Sequence, residues 1–178
     1  MRPSKVNIMG GSDAWTFGEV LAFYEGGLAL GESHGLKLVW ETHRSRPTFS
    51  PWQTRAILTE LPALRLTGDF SHWCVVCERL ILDELPEFLD LLAMRCDHLH
   101  LRLGYAQGPQ LPDPAEASGE ILEAHLRWWH HIVRGGEVQT LTPEFGPDGY
   151  LQSGSVEKDL SVLNRWMVDC VRRQLSGG

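Results

Sequence analysis

A chain of 178 residues with 43% hydrophobic content is about one domain long and has enough apolar side chains to bury a core, which excludes an intrinsically disordered segment. A formal net charge of −7, with no dense Lys/Arg run, excludes broad electrostatic attraction to nucleic acid or to anionic membranes and favours a small polar ligand held by a few local groups. No apolar stretch approaches the length of a membrane span, and Met1–Lys5 leads into a strand-like segment, so the expected location is the cytoplasm.

In chain order, β-branched or Leu-rich runs predict strands at Val6–Ile8, Leu36–Trp40, Leu64–Thr67, His98–Leu103 and Val138–Thr142. Each is followed by a helix-like segment. The strands recur about every 30 residues, stretching to about 40 before the last, which is the length of a strand plus its crossover helix and predicts a parallel sheet.

Local punctuation supports these elements. Gly10-Gly11-Ser12-Asp13 reads as a tight turn in which Ser12 or Asp13 caps the next helix, and it is too short for a nucleotide fingerprint. Ser50-Pro51-Trp52-Gln53 offers an N-cap, a proline at the first helical position and a capping-box glutamine, starting a helix that Pro62 stops near Leu61. A further helix spans Ala115–Val133, closed by Gly135-Gly136, and a last one spans Val156–Leu175.

Two conspicuous clusters read as structure. Cys74-Val75-Val76-Cys77 lies within a helix-like segment and lacks a second cysteine pair, so buried thiols are expected there. All four cysteines, with Cys96 and Cys170, are expected to be reduced. In Trp128-Trp129-His130-His131, adjacent helical residues point in different directions and cannot all serve one site, so core packing with a polar edge is expected.

Four strands end on a group able to bind a divalent cation. These are Glu41 in Val39-Trp40-Glu41-Thr42-His43, Asp69 in Thr67-Gly68-Asp69-Phe70-Ser71-His72, His100 in His98-Leu99-His100, and Glu144 in Thr142-Pro143-Glu144-Phe145-Gly146-Pro147. Parallel α/β folds place their active sites at the carboxyl ends of strands. Taken singly, each residue also reads as a helix cap or a solvated loop group; what points to one shared site is the same phase in four consecutive units. Three carboxylates and one imidazole form a hard, oxygen-rich donor set suited to one Mn²⁺ or Mg²⁺, with Co²⁺, Fe²⁺ or Zn²⁺ left open by the nitrogen ligand.

These phrases resemble, over nearly the whole chain, the xylose-isomerase-like superfamily of sugar phosphate isomerases and epimerases. The resemblance implies an α/β fold of (β/α) TIM-barrel type. Five strand–helix units against the eight of about 250 residues in a full barrel predict a single partial barrel domain over residues 1–178, the last five units with the first three missing. Such a sheet has two raw edges, which a homo-oligomer would cover.

The resemblance further implies that Glu41, Asp69, His100 and Glu144 hold the metal and that His72 touches substrate. His43, Arg102 and Gln110 join His72 as substrate-contact candidates by their place in strand-following loops, and His98 shares a strand face with His100. The implied substrate is a small polyhydroxy carbonyl compound, and neither nucleic acid nor membrane is an expected partner. Catalysis would abstract a proton next to the carbonyl through an enediolate, with Glu41 and Glu144 as the catalytic pair. Whether the proton returns to the neighbouring carbon or to the opposite face of the same one stays open. A competing expectation is a non-catalytic or truncated barrel fragment that binds metal or self-associates without turnover.

Overall fold

Short runs of β-formers separated by capped, amphipathic segments leave the chain one economical arrangement, a parallel sheet covered by its own crossovers. The structure, a computed structural model, describes residues 3–111, 119–138, 140–146 and 159–176. All five expected strands form: β1 Val6–Ile8, β2 Leu38–Glu41, β3 Leu66–Gly68, β4 Cys96–Leu101 and β5 Thr140–Pro143. They pair in parallel in chain order, β1-β2-β3-β4-β5.

The sheet curls into a half-barrel. Lys5 Nζ, at the start of β1, donates to the Asp97 carbonyl on β4 at 2.7 Å. In a flat sheet three strand spacings would put those backbones about 14 Å apart, beyond the reach of a lysine.

Strand alternation sorts the side chains. Ile8, Leu38, Trp40, Leu66, Leu99, Leu101 and Leu141 belong to the core beneath the helices. The alternate positions Asn7, Glu41, Thr67, His98, His100, Thr140 and Thr142 share the other face, which is largely polar.

The helices are α1 Phe17–His34, α2 Pro51–Glu60, α3 Ser71–Cys77, α4 Pro86–Arg95, α5 Gly119–Gly135 and α6 Leu160–Ser176, with one 3-10 turn at Ile81–Glu84. The expected caps need one correction. Thr16, not Ser12 or Asp13, caps α1, in a complete capping box with Glu19. Ser12 closes the preceding turn instead, its Oγ accepting from Ala14 N–H at 3.2 Å. Thr-x-x-Glu satisfies two orphan helix donors at once, which Ser12 cannot do from inside the turn. Ser50 caps α2 by accepting from Gln53 N–H at 3.3 Å, and the helix stops at Glu60.

The third crossover is broken into α3, the 3-10 turn and α4, and α4 runs directly into β4, so that strand begins at Cys96, two residues before the expected start. Strands β2, β3 and β5 also begin two residues later than expected. The expected helix starts at Ala115 and Val156 lie outside the described residues.

α5 is the most strongly amphipathic element in its pattern, burying Ala124, His125, Trp128, Trp129 and Ile132 along one stripe. His130 and His131 fall outside that stripe, and His131 Nε2 meets Asp90 at 2.7 Å on the surface. All four cysteines are free and buried. No described helix is long and apolar enough to cross a membrane.

At the amino ends of the strands a buried acid ties the sheet together. The Asp97 carboxylate, 1% exposed, meets Lys37 Nζ at 2.6 Å and Arg65 Nη2 at 2.6 Å, from the approaches to β2 and β3. Burial works against its charge, but Arg65 and Lys37 outweigh that and hold its pKa below the usual carboxylate value. Asp97→Asn should therefore lower stability by about 2 kcal/mol, less than a fully buried pair because both cations keep contact with solvent. Since the folded-state pKa is depressed, this contribution is present above the unfolded-state value of about 3.9 and is lost as pH falls through the folded value. Urea denaturation of both proteins at pH 7 and at acid pH checks this: the difference should shrink in acid.

Candidate metal centre

At their carboxyl ends β2 to β5 lie side by side, with Glu41 paired to Thr67, Gly68 to Leu99 and His100 to Thr142. Asp69 and Glu144 follow the last residues of β3 and β5. The curl brings these ends together, so that one donor atom each from Glu41, Asp69, His100 and Glu144 lies within 4.8 Å of every other. His100 is the hub. Its Nδ1 is 2.7 Å from Glu144 Oε2 and 3.8 Å from both Glu41 Oε1 and Asp69 Oδ2.

Neighbouring groups orient two of the ligand candidates, Glu41 and Asp69. Asn7 on β1 donates from Nδ2 to Glu41 Oε2 at 3.1 Å, leaving Oε1 toward His100. Asp69 is locked through its backbone and side chain. Thr42 Oγ1 accepts from Asp69 N–H at 2.8 Å and donates to the Asp69 carbonyl at 2.9 Å. Ser71 donates to Asp69 Oδ1 from its N–H at 3.2 Å and its Oγ at 2.5 Å, while the Arg102 guanidinium binds Oδ2. The exit from β4 packs so closely on Ser71 that a Cβ on Gly104 would lie 2.4 Å from the Ser71 carbonyl oxygen, which only glycine avoids.

Charge balance explains the protonation states. Burial raises the Glu41 pKa, and the nearby Asp69 and Glu144 charges add to that effect. Burial also opposes ionisation of Asp69, but His72, His100 and Arg102 outweigh it and hold that carboxyl well below the usual range. For His100 burial again disfavours charge, yet Asp69 and Glu144 push its pKa up to about 10. Burial drives His72 down to about 3, with His43, Arg102 and Arg44 lowering it further against Asp69, so this ring is neutral.

The donor set fits a divalent ion by its chemistry and by two otherwise unexplained atoms. His100 Nδ1 and Glu144 Oε2 are buried and face each other at 2.7 Å without the angles of a hydrogen bond, and neither has another hydrogen-bond partner. With the His100 proton displaced, the two atoms stand close enough together to serve one ion. Glu41, His43 and His72 also bring donor atoms together. There, however, Arg44 Nη1 and Arg102 Nη2 each stand 2.9 Å from a different nitrogen of His72. A cation on that ring would face two guanidinium groups, so the four-residue cluster is the better metal site.

The remaining sequence candidates divide. His43, His72 and Arg102 are gathered at the centre, with the His43 and His72 ring centroids 3.8 Å apart. His72 is 0% exposed and Arg102 2%, so of these three only His43 is partly open. Gln110 is buried and spends its amide on Gly146, donating to the carbonyl at 3.2 Å and accepting from the N–H at 2.9 Å. His98 lies beside His100 but bonds Thr140 Oγ1 at 2.7 Å on β5.

Asn7, Thr42, Arg44 and Ser71 were not among the sequence candidates. Asn7 had a signal, a lone amide inside an apolar strand. Ser71 had another, the Asp-x-Ser spacing by which a carboxylate accepts the N–H two residues on. Compared with protein-family models, curated proteins and solved structures, the chain finds no match.

In the metal-free protein the His100 imidazole should titrate near pH 10 by NMR, and Glu144→Gln should bring it down toward the ordinary histidine range. Because the folded pKa is raised, His100 contributes stability that is fully present below about pH 6.5 and lost as pH rises through the folded value. Titration near 6.5 in the wild-type chain would contradict the arrangement.

Proposed function

We propose that this chain carries the active site of a divalent-metal-dependent sugar or sugar-phosphate isomerase or epimerase of TIM-barrel type, its strands corresponding to five of the eight in such a barrel. The observation that carries the reading is the convergence of Glu41, Asp69, His100 and Glu144 from the ends of four adjacent parallel strands. Mn²⁺ or Mg²⁺ suits these ligands best, with Co²⁺, Fe²⁺ and Zn²⁺ also accommodated by the imidazole.

A divalent ion held there supplies positive charge to substrate oxygens and so acidifies a C–H next to a carbonyl. Glu41 and Glu144 belong to strands on opposite sides of β4, which suits them to take and return a proton on different sides of a bound polyhydroxy carbonyl compound. Return to the neighbouring carbon isomerises, and return to the other face of the same carbon epimerises. His43 is the substrate-contact residue with access to solvent, while His72 and Arg102 shape the wall behind it.

One observation favours metal binding without turnover: His72 and Arg102 are buried against each other and against Asp69, not presented to a ligand. Deuterium uptake from D₂O, followed by NMR with Mn²⁺ and a panel of aldoses, ketoses and their phosphates, separates the readings. The enzyme reading expects exchange at the carbon next to the carbonyl, reduced at least about 100-fold in Glu41→Gln and in Glu144→Gln. Exchange with none of the panel by a chain that binds Mn²⁺ tightly would support binding alone.

A further inference from the structure

Glu144 is the most loosely placed of the four ligands. Its side chain is 37% exposed against 10% for His100, 8% for Glu41 and 0% for Asp69. It follows Pro143, the last residue of β5, and β5 has β4 as its single neighbour among the described residues. Strand pairing holds the backbone up to Pro143, opposite Leu101, and stops one residue short of Glu144.

The two residues after Glu144 are nevertheless fixed, each by one side-chain amide. Phe145 N–H donates to Asn164 Oδ1 at 2.8 Å, and Asn164 Nδ2 donates back to the Phe145 carbonyl at 3.2 Å. Gly146 N–H donates to Gln110 Oε1 at 2.9 Å, and Gln110 Nε2 donates back to the Gly146 carbonyl at 3.2 Å. An amide that both gives to and takes from one residue reproduces the paired bonds of a strand ladder. Only Asn and Gln provide a donor and an acceptor in that fixed fork, since a carboxylate lacks the donor. The two amides come from separate places, Asn164 from α6 and Gln110 from the segment after β4, and Phe145 between them is buried.

Resting on the metal-centre reading above, we infer that Gln110 and Asn164 are positioning residues that set the affinity of the site for its ion by clamping the backbone behind Glu144. They act through that ligand and touch neither ion nor substrate. Outer partners of ligands commonly change metal affinity 10- to 100-fold when removed, so about that loss is expected here.

The test is Mn²⁺ titration by calorimetry of the wild-type chain, Gln110→Met, Asn164→Leu, Glu144→Gln, and each clamp variant combined with Glu144→Gln. Each clamp variant alone should weaken Mn²⁺ binding about 10- to 100-fold while a folded, metal-free population persists by circular dichroism. In the Glu144→Gln background the same substitutions should cost nothing more, because the ligand they position is already gone. A merely structural role predicts the opposite, losses that add to that of Glu144→Gln or affinities equal to wild type, and either result overturns the inference. Should Gln110→Met fail to fold, Asn164→Leu on the surface-facing α6 carries the cycle alone. A wild-type chain that takes up no Mn²⁺ would instead overturn the metal-centre reading itself.

Discussion

Three carboxylates cannot share a space a few ångströms wide without positive charge among them, and that constraint organises the carboxyl end of this sheet. His100 sits among Glu41, Asp69 and Glu144, and Arg102 binds the most deeply buried of them. The same repulsion that draws a proton onto His100 makes the cluster attractive to a divalent ion, which brings more charge than that proton. Asn7 and Ser71 then fix which oxygen of Glu41 and of Asp69 faces inward, and Thr42 holds the Asp69 backbone.

The curl of the sheet is what allows this convergence, and it is secured at the far end. Lys5, Lys37 and Arg65 gather on Asp97 where the strands begin, drawing β1 to β4 together beneath the site. One end of the sheet thus holds its acid with permanent cations and stays closed. At the other end three acids share one ionisable base and one guanidinium, leaving capacity for an ion. The ion-paired acid and the candidate metal site lie at opposite ends of the same sheet, with β2, β3 and β4 common to both.

Much of this was legible in the sequence because it depends on short-range pattern. The five strands announced themselves as β-branched or Leu-rich runs, and the four candidate ligands stood out because each lies in or just after such a run. Their supports did not, for reasons of distance. Asn7 and Glu41 are 34 residues apart, and Gln110 and Gly146 are 36 apart, so no local periodicity links either pair. Gln110 was visible as a polar residue after a strand, but only the fold shows that its amide faces backbone. The cap of α1 lies three or four positions beyond Asp13 and Ser12, because all three residues are plausible caps until the turn at Gly11 is known. The break between α3 and α4 has one local signal, Pro86 at the first position of α4. The curl itself has no sequence signature, and it decides whether four strand ends make one site or four separate residues.

The central claim is that these four side chains bind one ion together. Anomalous scattering from crystals soaked in Mn²⁺ tests it most directly. One peak is expected, about 2 to 2.3 Å from an atom of each of Glu41, Asp69, His100 and Glu144, as hard-ion coordination requires. No peak there, or a peak at Glu41, His43 and His72 that leaves Asp69 and Glu144 uncoordinated, would contradict it.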